Sequence, residues 1–391
     1  MEGQSKAWRQ PSVLLVSTVP WMFPARLASA LSRLDFHVET VCQWGHPLRS
    51  LHKPVRVHRL GWLAEAASIK TALRRARPDL VVPCDDPAVR ALHEVHRQCS
   101  DLRGVIERSL GDPAGFATTE QRTALVDLAR AMGLLVPQSH PVAGRAALSQ
   151  VAARIGYPVV LKRDMTWGGL GTQIVDSEGE LRKAWSGAKG YAAVLRAGRA
   201  VVRDRRPRTI IDWLVETPAL EAQEFVPGTP ANRAVLCRAG RVLAGLSVEA
   251  VHTAYAGGPA SVIRVIEHNE MADTVEALVG RLGLSGLCGF DFQLSPSGRA
   301  YLLELNPRAT PVCHLAVADG THLPAALYRD LTGGDPFNIP QPISNSLIAL
   351  FPARRRSDGT CAVPVEAYYD LPLDEPALLA LAGRSPGRAP S

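Results

Sequence analysis

The chain contains 391 residues, of which 46% are hydrophobic and 21% are charged. This composition describes an ordinary soluble globular protein that can bury a large core, and the length suggests two or three domains. No apolar run approaches the roughly 20 residues that a membrane span requires, and the first ten residues lack the apolar stretch of a secretory signal. The sequence therefore favours neither a membrane protein nor a secreted one.

The cysteines indicate the cellular compartment, and the net charge indicates which partners the chain could bind. Seven cysteines are scattered without CxxC spacing, which predicts neither a zinc site nor a disulfide framework and fits a reducing cytoplasm best. The net charge of +7 suits nucleic acid or a polyanionic substrate such as ATP. The densest basic run, Arg196 to Arg208, is mixed with Gly and Pro. We interpret it as a solvated, mobile insertion, and we expect no nucleic-acid partner.

The first third of the chain alternates short apolar strands with helical stretches. The strand-like runs are 13–16, 37–41 and 79–83, and helices are predicted from Ala25 to Leu34 and from about 86 to Gln98. This alternation predicts a parallel sheet, and therefore a small Rossmann-like domain over residues 1–112. No GxGxxG follows the first strand, so a dinucleotide is not indicated.

Four polar or aromatic residues follow the strands of this predicted domain. They are Thr18, Trp21, Asp85 and Asp86. Ligands of open α/β sheets bind at the carboxyl ends of strands, so these side chains either contact a substrate or serve only as loop and cap residues.

A new helix is predicted after residue 118. Thr118 and Gln121 have capping-box spacing, and apolar residues recur at helical intervals from Ala124 to Met132. Gly133 ends the helix, and the run LLVPQS that follows it predicts a strand.

A glycine-rich loop joins two strands between residues 157 and 175. Pro158 to Leu161 form the first strand, Lys162 stands at its end, and Gln173 to Val175 begin the second strand. The glycines of the loop are Gly168, Gly169 and Gly171. Without Cβ atoms, their backbone N–H groups can approach phosphates closely. No GK[ST] opens a helix here, so this is not a Walker loop. Trp167 in the loop is either a lid over a ligand or a packed anchor.

Residues 289–308, GFDFQLSPSGRAYLLELNPR, predict a β-hairpin around a Ser-Pro-Ser-Gly turn. If Leu294 and Arg299 close the loop, Asp291 pairs opposite Leu302. Alternation then places Glu304 and Asn306 on the same face as Asp291. Two carboxylates and an amide oxygen within roughly 7–8 Å can share one or two Mg²⁺ ions, which prefer this ligand set. The alternative is an exposed strand with ordinary surface acids.

The order of an acid, a Glu, an Asn two residues later and an Arg two residues after that, closing on Asn-Pro-Arg, resembles the metal and phosphate hairpin of the ATP-grasp superfamily. The ending is similar to that of the branch with biotin carboxylase and the carbamoyl-phosphate synthetase large subunit. The resemblance implies that Asp291, Glu304 and Asn306 bind Mg²⁺ and that Arg308 faces the acyl phosphate. It implies a catalytic role for Lys162 as well as for Arg308, with Lys162 on the α- and β-phosphates. The implied nucleotide contacts are Arg122, Lys162, Gly168, Gly169, Gly171, Gln223, Glu224, Val226 and Asn232.

The adenine would be read by the segment EAQEFVPG, residues 221–228. Many members of the superfamily carry an acid a few residues later that binds the ribose, and Asn232 stands in that region of this chain instead. The resemblance further implies that Glu249, His252 and Arg264 lie where substrate or phosphate contacts are often found. For His252 and His314 a structural role remains the alternative.

The resemblance implies an α/β fold, with a Rossmann-like domain followed by an ATP-grasp nucleotide clamp of two subdomains. We expect the clamp at 113–335, its nucleotide-covering part at about 155–228, and a partly disordered extension at 336–391. The implied activity is a Mg²⁺-dependent (or Mn²⁺-dependent) ligase that activates a carboxylate as an acyl phosphate for an amine or thiol. The alternatives are carbamoyl- or carboxyphosphate formation, phosphotransfer and a non-catalytic ATP sensor. A homodimer is one option for its assembly.

Overall fold

The computed structural model describes residues 10–52, 55–61, 64–142, 144–163, 172–188, 220–254, 257–317, 321–353 and 363–384. The helices are α1 (Phe23–Arg33), α2 (Glu65–Ala76), α3 (Asp86–Gln98), α4 (Arg103–Leu110), α5 (Phe116–Glu120), α6 (Arg122–Ala131), α7 (Arg145–Ile155), α8 (Glu178–Ala188), α9 (Asn269–Leu282), α10 (Leu323–Thr332) and α11 (Pro376–Arg384). Within these residues no helix is long and apolar enough to cross a membrane.

Three sheets organise the fold. The strands are β1 (Ser12–Ser17), β2 (His37–Cys42), β3 (Arg56–Arg59), β4 (Leu80–Pro83), β5 (Ser139–Val142), β6 (Val159–Arg163), β7 (Thr172–Val175), β8 (Leu220–Glu224), β9 (Thr229–Arg238), β10 (Arg241–Thr253), β11 (Ala260–Ile266), β12 (Gly286–Leu294), β13 (Ala300–Asn306), β14 (Leu347–Ala349) and β15 (Tyr368–Tyr369).

The amino-terminal sheet is parallel, with the strand order β3-β2-β1-β4. Alternate residues of β1 enter two different cores, because successive side chains of a strand point to opposite faces. Val13 and Leu15 pack with α1, whereas Leu14 and Val16 pack with α2, α3 and α4. Helices therefore cover both faces, and the predicted Rossmann-like arrangement is confirmed.

The largest sheet has the order β13-β12-β9-β10-β11-β14-β15. Strands β9 and β10 form an antiparallel hairpin whose turn consists of Ala239 and Gly240. Both turn residues have positive φ, 48° and 79°, as a tight turn between twisted strands requires. Residues of α9 pack on β9, β12 and β13 to form the core of this part of the chain.

The predicted carboxyl-terminal extension contributes to this fold. Strand β14 pairs with β11 at the edge of the largest sheet. Asp370, which follows β15, is buried and bonds both Arg26 of α1 and His314 (2.7 Å to Nε2). This network ties the end of the chain to the amino-terminal domain. The boundaries of the three predicted domains remain predictions.

The third sheet is small, with the order β5-β8-β6-β7. One of its faces packs against α7 and α8 through a buried cluster. That cluster contains Val142, Leu148, Ala152, Val159, Leu161, Val175, Leu181 and Ala222. The strands predicted on both sides of the glycine-rich loop are confirmed as β6 and β7, which are antiparallel.

Two local predictions between residues 118 and 139 are wrong. Thr118 lies inside α5, and the next helix begins at Arg122 after Gln121, whose side chain forms no cap hydrogen bond. The capping-box spacing therefore did not mark a helix start. The run LLVPQS is not a strand until its last residue, Ser139, because the strand pairing with β8 begins only there.

Candidate active site

The predicted β-hairpin exists as β12 and β13, but its register differs from the prediction. Leu294 pairs with Ala300 and Phe292 with Leu302, and a bulge then brings Asp291 opposite Glu304. We expected Asp291 to lie opposite Leu302, and that prediction is wrong. The bulge adds one residue to β13 and returns Glu304 and Asn306 to the face of Asp291.

Asp291 is held between two amides. The Nδ2 group of Asn232 on β9 donates to Oδ1 of Asp291 at 2.7 Å, and the Nδ2 group of Asn306 donates to Oδ2 at 2.8 Å. The Oδ1 atom of Asn232 is buried and accepts no hydrogen bond from the described residues. Asn232, predicted at the ribose, thus lies beside the predicted metal acids with a free acceptor oxygen.

The two carboxylates repel each other. Burial, and then the charge of Glu304, raise the pKa of Asp291, against the hydrogen bonds from Asn232 and Asn306. A divalent cation at this face would relieve that repulsion. In the described part of the chain no group of three or more His, Cys, Asp and Glu residues is placed to hold a metal. The ligand set of this face is two carboxylates and amide oxygens, which suits Mg²⁺ completed by water and phosphate oxygens.

Two basic side chains approach the same face from other elements. Nη2 of Arg122, at the start of α6, lies 3.0 Å from Oε1 of Glu304. Lys162 on β6 is buried with 8% exposure. Burial and then Arg122 lower the pKa of Lys162 to about 8, opposed by the carboxylates of Glu304, Glu221 and Asp291. The structure therefore brings Arg122, Lys162, Asp291 and Glu304 together, as the site prediction requires.

The predicted adenine segment begins in β8, beside Lys162. Gln223 is buried, and its Nε2 group donates to Oγ of Ser139 at 2.9 Å. The backbone N–H of Glu224 donates to the carbonyl of Gln138 (2.8 Å), and its side chain accepts from the N–H of Gln138 (3.1 Å). Val226 follows the strand and is buried. These contacts fix the segment at the edge of the basic and acidic cluster.

Arg308 lies at the end of the hairpin and contacts the amino-terminal domain. Its Nε donates to Oδ1 of Asp86 at 2.7 Å, and Nη2 donates to Oδ1 of Asn306 at 2.7 Å. The guanidinium lies 5.8 Å from the ring centroid of Trp21. Burial opposes the charged form, but the carboxylates of Asp86, Glu304 and Asp291 together outweigh it and raise the pKa of Arg308. Asp86 and Trp21, predicted at strand ends, thus border the same site.

Other predicted residues lie elsewhere or cannot be described. Oδ1 and Oδ2 of Asp85 accept from the side chain of Thr18 and from backbone N–H groups, so Asp85 and Thr18 are engaged in the loop itself. Oε1 of Glu249 bonds Arg264 at the surface. The glycines 168, 169 and 171, Trp167 and the basic run 196–208 lie outside the described residues.

Sequence reasoning missed Glu221, which faces Lys162 across β6 and β8. The signal was available, because Glu221 and Gln223 are two residues apart in one strand and share a face. An acid inside a covered strand is unusual, and its alternation with Gln223 pointed to the site.

Two family models match overlapping parts of the chain. The carbamoyl-phosphate synthase L chain ATP-binding domain matches residues 121–212, and the ATP-grasp domain matches residues 199–312. Among curated relatives, the formate-dependent phosphoribosylglycinamide formyltransferase of Burkholderia lata is 27% identical over 66% of this chain. The carbamoyl phosphate synthase large chain of Thermus thermophilus is 26% identical over 50% of this chain. The chain spans 60% of the first relative and 18% of the second.

Solved structures share the fold. A carboxyaminoimidazole ribonucleotide synthase from Aspergillus clavatus, complexed with ATP, has a TM-score of 0.59 at 14% identity and covers 86% of this chain and 79% of its own. The biotin carboxylase of Campylobacter jejuni has a TM-score of 0.58 at 14% identity and covers 88% and 75%. Identities this low establish the architecture and leave the substrate open.

Proposed function

Because the chain belongs to the ATP-grasp superfamily, we propose that it is an ATP-dependent ligase. It activates a carboxylate as an acyl phosphate and joins that group to an amine or thiol, releasing ADP and phosphate. The observation that carries the proposal is the convergence of Arg122, Lys162, Asp291 and Glu304 from separate elements beside Arg308. This arrangement offers cationic side chains for phosphates next to an oxygen-rich face for a cation.

The proposed role of each residue follows from the chemistry of its side chain. Lys162 and Arg122 bind the phosphates of ATP, and Gln223, Glu224 and Val226 line the purine edge. Asp291, Glu304 and Asn306 hold Mg²⁺, or Mn²⁺ in its place, which when bound neutralises phosphate charge. Asn232 supports this set through Asp291 and offers its free oxygen to a ribose hydroxyl or to the cation.

Arg308 serves the transferring group. Among the described residues, its contacts with Asp86, Asn306 and the carbonyl of Ala309 engage Nε, both N–H groups of Nη2 and one of Nη1. The other Nη1 N–H, which no described residue engages, is available for an oxygen of the acyl phosphate. The charge of Arg308 is fixed in place before the reaction, so it stabilises developing negative charge without reorganising.

In the proposed reaction an oxygen of the substrate carboxylate attacks the γ-phosphorus of ATP, and the bond to the β-phosphate oxygen breaks to release ADP. An amine or thiol then attacks the acyl carbon and displaces inorganic phosphate, with loss of one proton. Water would hydrolyse the acyl phosphate, so the site must exclude water until the amine or thiol attacks.

The test is a screen for ADP release across carboxylic acids crossed with amines and thiols, with bicarbonate as one of the acids. We expect ADP release to require one acid, and phosphate to appear together with a stable amide or thioester. A response to bicarbonate alone would favour carboxyphosphate formation, which the match to a carbamoyl-phosphate synthase domain supports as the second candidate. Tight ATP binding without turnover on any acid would contradict both.

The setting of the enzyme is part of the proposal. The six cysteines in the described part of the chain are free and buried, which supports a reducing cytoplasm.

One structural neighbour is a dimer of biotin carboxylase domains, and we propose a homodimer here as well. Light scattering of the purified chain tests that assembly.

Lys162→Ala is expected to weaken ADP binding about tenfold to a hundredfold at pH 7, because a charged hydrogen bond to phosphate is lost. In the unchanged protein, binding should weaken as pH rises through about 8, where Lys162 loses its proton. Lys162→Arg should remove this pH dependence, since a guanidinium stays charged. Titration calorimetry from pH 7 to 9.5 measures both effects.

Lys183→Ala is the control, because Lys183 is an exposed lysine of α8 in the same part of the chain. It should bind ADP as the unchanged protein does. An equal loss at Lys183 and Lys162, or a pH dependence that survives in Lys162→Arg, would contradict the phosphate contact.

A further inference from the structure

Glu221 is a buried carboxylate whose oxygens accept no hydrogen bond from the part of the chain that the structure describes. The residue is 3% exposed. Buried polar groups are almost always hydrogen-bonded, and an unpaired buried carboxyl is costly. Its position therefore requires a nearby positive charge or a ligand.

The strand register identifies the group that Glu221 faces. Glu221 on β8 pairs directly with Lys162 on β6, and side chains opposite each other in such a pair have Cβ atoms about 4.5–5.5 Å apart. Gln223 lies two residues further along the same face. The other face of these strands, which carries Leu161 and Ala222, packs into the core against α7 and α8. Glu221 and Lys162 thus both point to the candidate active site.

The other carboxylates near Lys162 are already engaged. Oε1 of Glu304 bonds Arg122, and both oxygens of Asp291 accept from amides. Both residues also face the proposed cation site. Arg122 repels the ammonium group of Lys162, so a lysine with a flexible four-carbon stem needs a counter-charge to stay in place. Glu221 is the acid of this group whose two oxygens are uncommitted.

We propose that Glu221 is a positioning residue that holds the ammonium group of Lys162 on the phosphate side of the cleft. This proposal rests on the proposed function, because it assigns the use of Lys162 to nucleotide phosphate. Glu221 does not contact the nucleotide; it acts through the lysine. Burial and Arg122 lower the pKa of Lys162, and the carboxylates of Glu304 and then Glu221 oppose that shift.

The direction in which one substitution changes the affinity for ADP distinguishes a positioning role from simple charge repulsion. Glu221→Gln removes a negative charge next to an anion site, and Coulomb repulsion alone would then predict tighter ADP binding. A positioning role predicts the opposite, namely ADP binding weakened about tenfold. Adenosine, which has no phosphates, should bind equally well to both proteins. Calorimetry with ADP and adenosine on the full chain measures the two affinities.

A double-mutant cycle with Lys162→Met completes the test. In that background Glu221→Gln should no longer weaken ADP binding. Glu178→Gln is the charge-matched control, because Glu178 is a half-exposed residue of α8 that pairs with Arg182, and it should change neither affinity. Glu221→Leu, which needs no hydrogen bond, should reproduce the loss if Glu221→Gln folds poorly, and circular dichroism checks both folds.

Four results would overturn the proposal: unchanged or tighter ADP binding in both Glu221 variants, an equal loss of adenosine binding, the same loss in the Lys162→Met background, or an equal loss in Glu178→Gln. If the unchanged protein binds neither ADP nor adenosine, the proposed function fails together with this proposal. If it binds ADP and the cycle shows no coupling, only the role of Glu221 fails.

Discussion

Glu304→Gln is expected to leave the fold intact and to lower turnover about a thousandfold, which corresponds to about 4 kcal/mol of transition-state stabilisation. Glu304 faces Asp291 across the hairpin and bonds Arg122. A glutamine keeps the shape and an oxygen for Arg122 but removes one charge from the proposed cation site. Steady-state ADP release at saturating Mg²⁺ measures the loss, and circular dichroism checks the fold.

Asp127→Asn is the matched control. Asp127 lies on α6, as Arg122 does, but its side chain is 73% exposed and pairs with Arg130 at the surface. This variant should turn over at the unchanged rate. A raised Mg²⁺ requirement in Glu304→Gln, absent from Asp127→Asn, would assign the defect to the cation. Normal Mg²⁺-dependent turnover in Glu304→Gln would contradict the metal assignment.

Strand alternation explains why the acidic face could be predicted from the sequence while its register could not. The expected loop closed with Leu294 and Arg299, but the real pairing is Leu294 with Ala300. That change of one residue would have moved Glu304 to the other face. The bulge at Leu303 adds one residue and restores the face. The only trace of the bulge in the alternation of residues 300–306 is the adjacent pair Leu302 and Leu303, which is too short a signal to fix the register.

The contact between Arg308 and Asp86 is a second feature that could not be predicted from the sequence. These residues are 222 positions apart, and no periodic pattern links a strand end in one domain with a hairpin end in another. Each could be predicted only as an isolated polar residue at the carboxyl end of a strand. For Glu221 the local pattern could be recognised in the sequence. Only the residue that it faces, Lys162, could not be identified without the pairing of β6 and β8.

Arg308→Ala is expected to lower the yield of trapped acyl phosphate about a hundredfold or more while weakening ADP binding only a few-fold. Hydroxylamine attacks the acyl carbon in place of the natural acceptor and releases phosphate, so each acyl phosphate becomes a hydroxamate that can be counted. The reason for the selective loss is geometric. Asp86 and Asn306 fix the guanidinium beside the oxygen-rich face, where charge builds on the transferring group.

The control and the thermal melt decide between a chemical role and a structural one. Arg299→Ala removes an exposed arginine that pairs with Glu270 at the other end of the hairpin, and its trapping yield should be unchanged. Arg308→Lys should recover part of the yield, since it restores the charge but not the fork that grips Asp86 and Asn306 together. If Arg308 only braced the two domains, Arg308→Ala would melt at a lower temperature but trap normally per folded molecule. ADP formed without any acid, or a hydroxamate yield indifferent to Arg308, would instead indicate a different reaction on this fold.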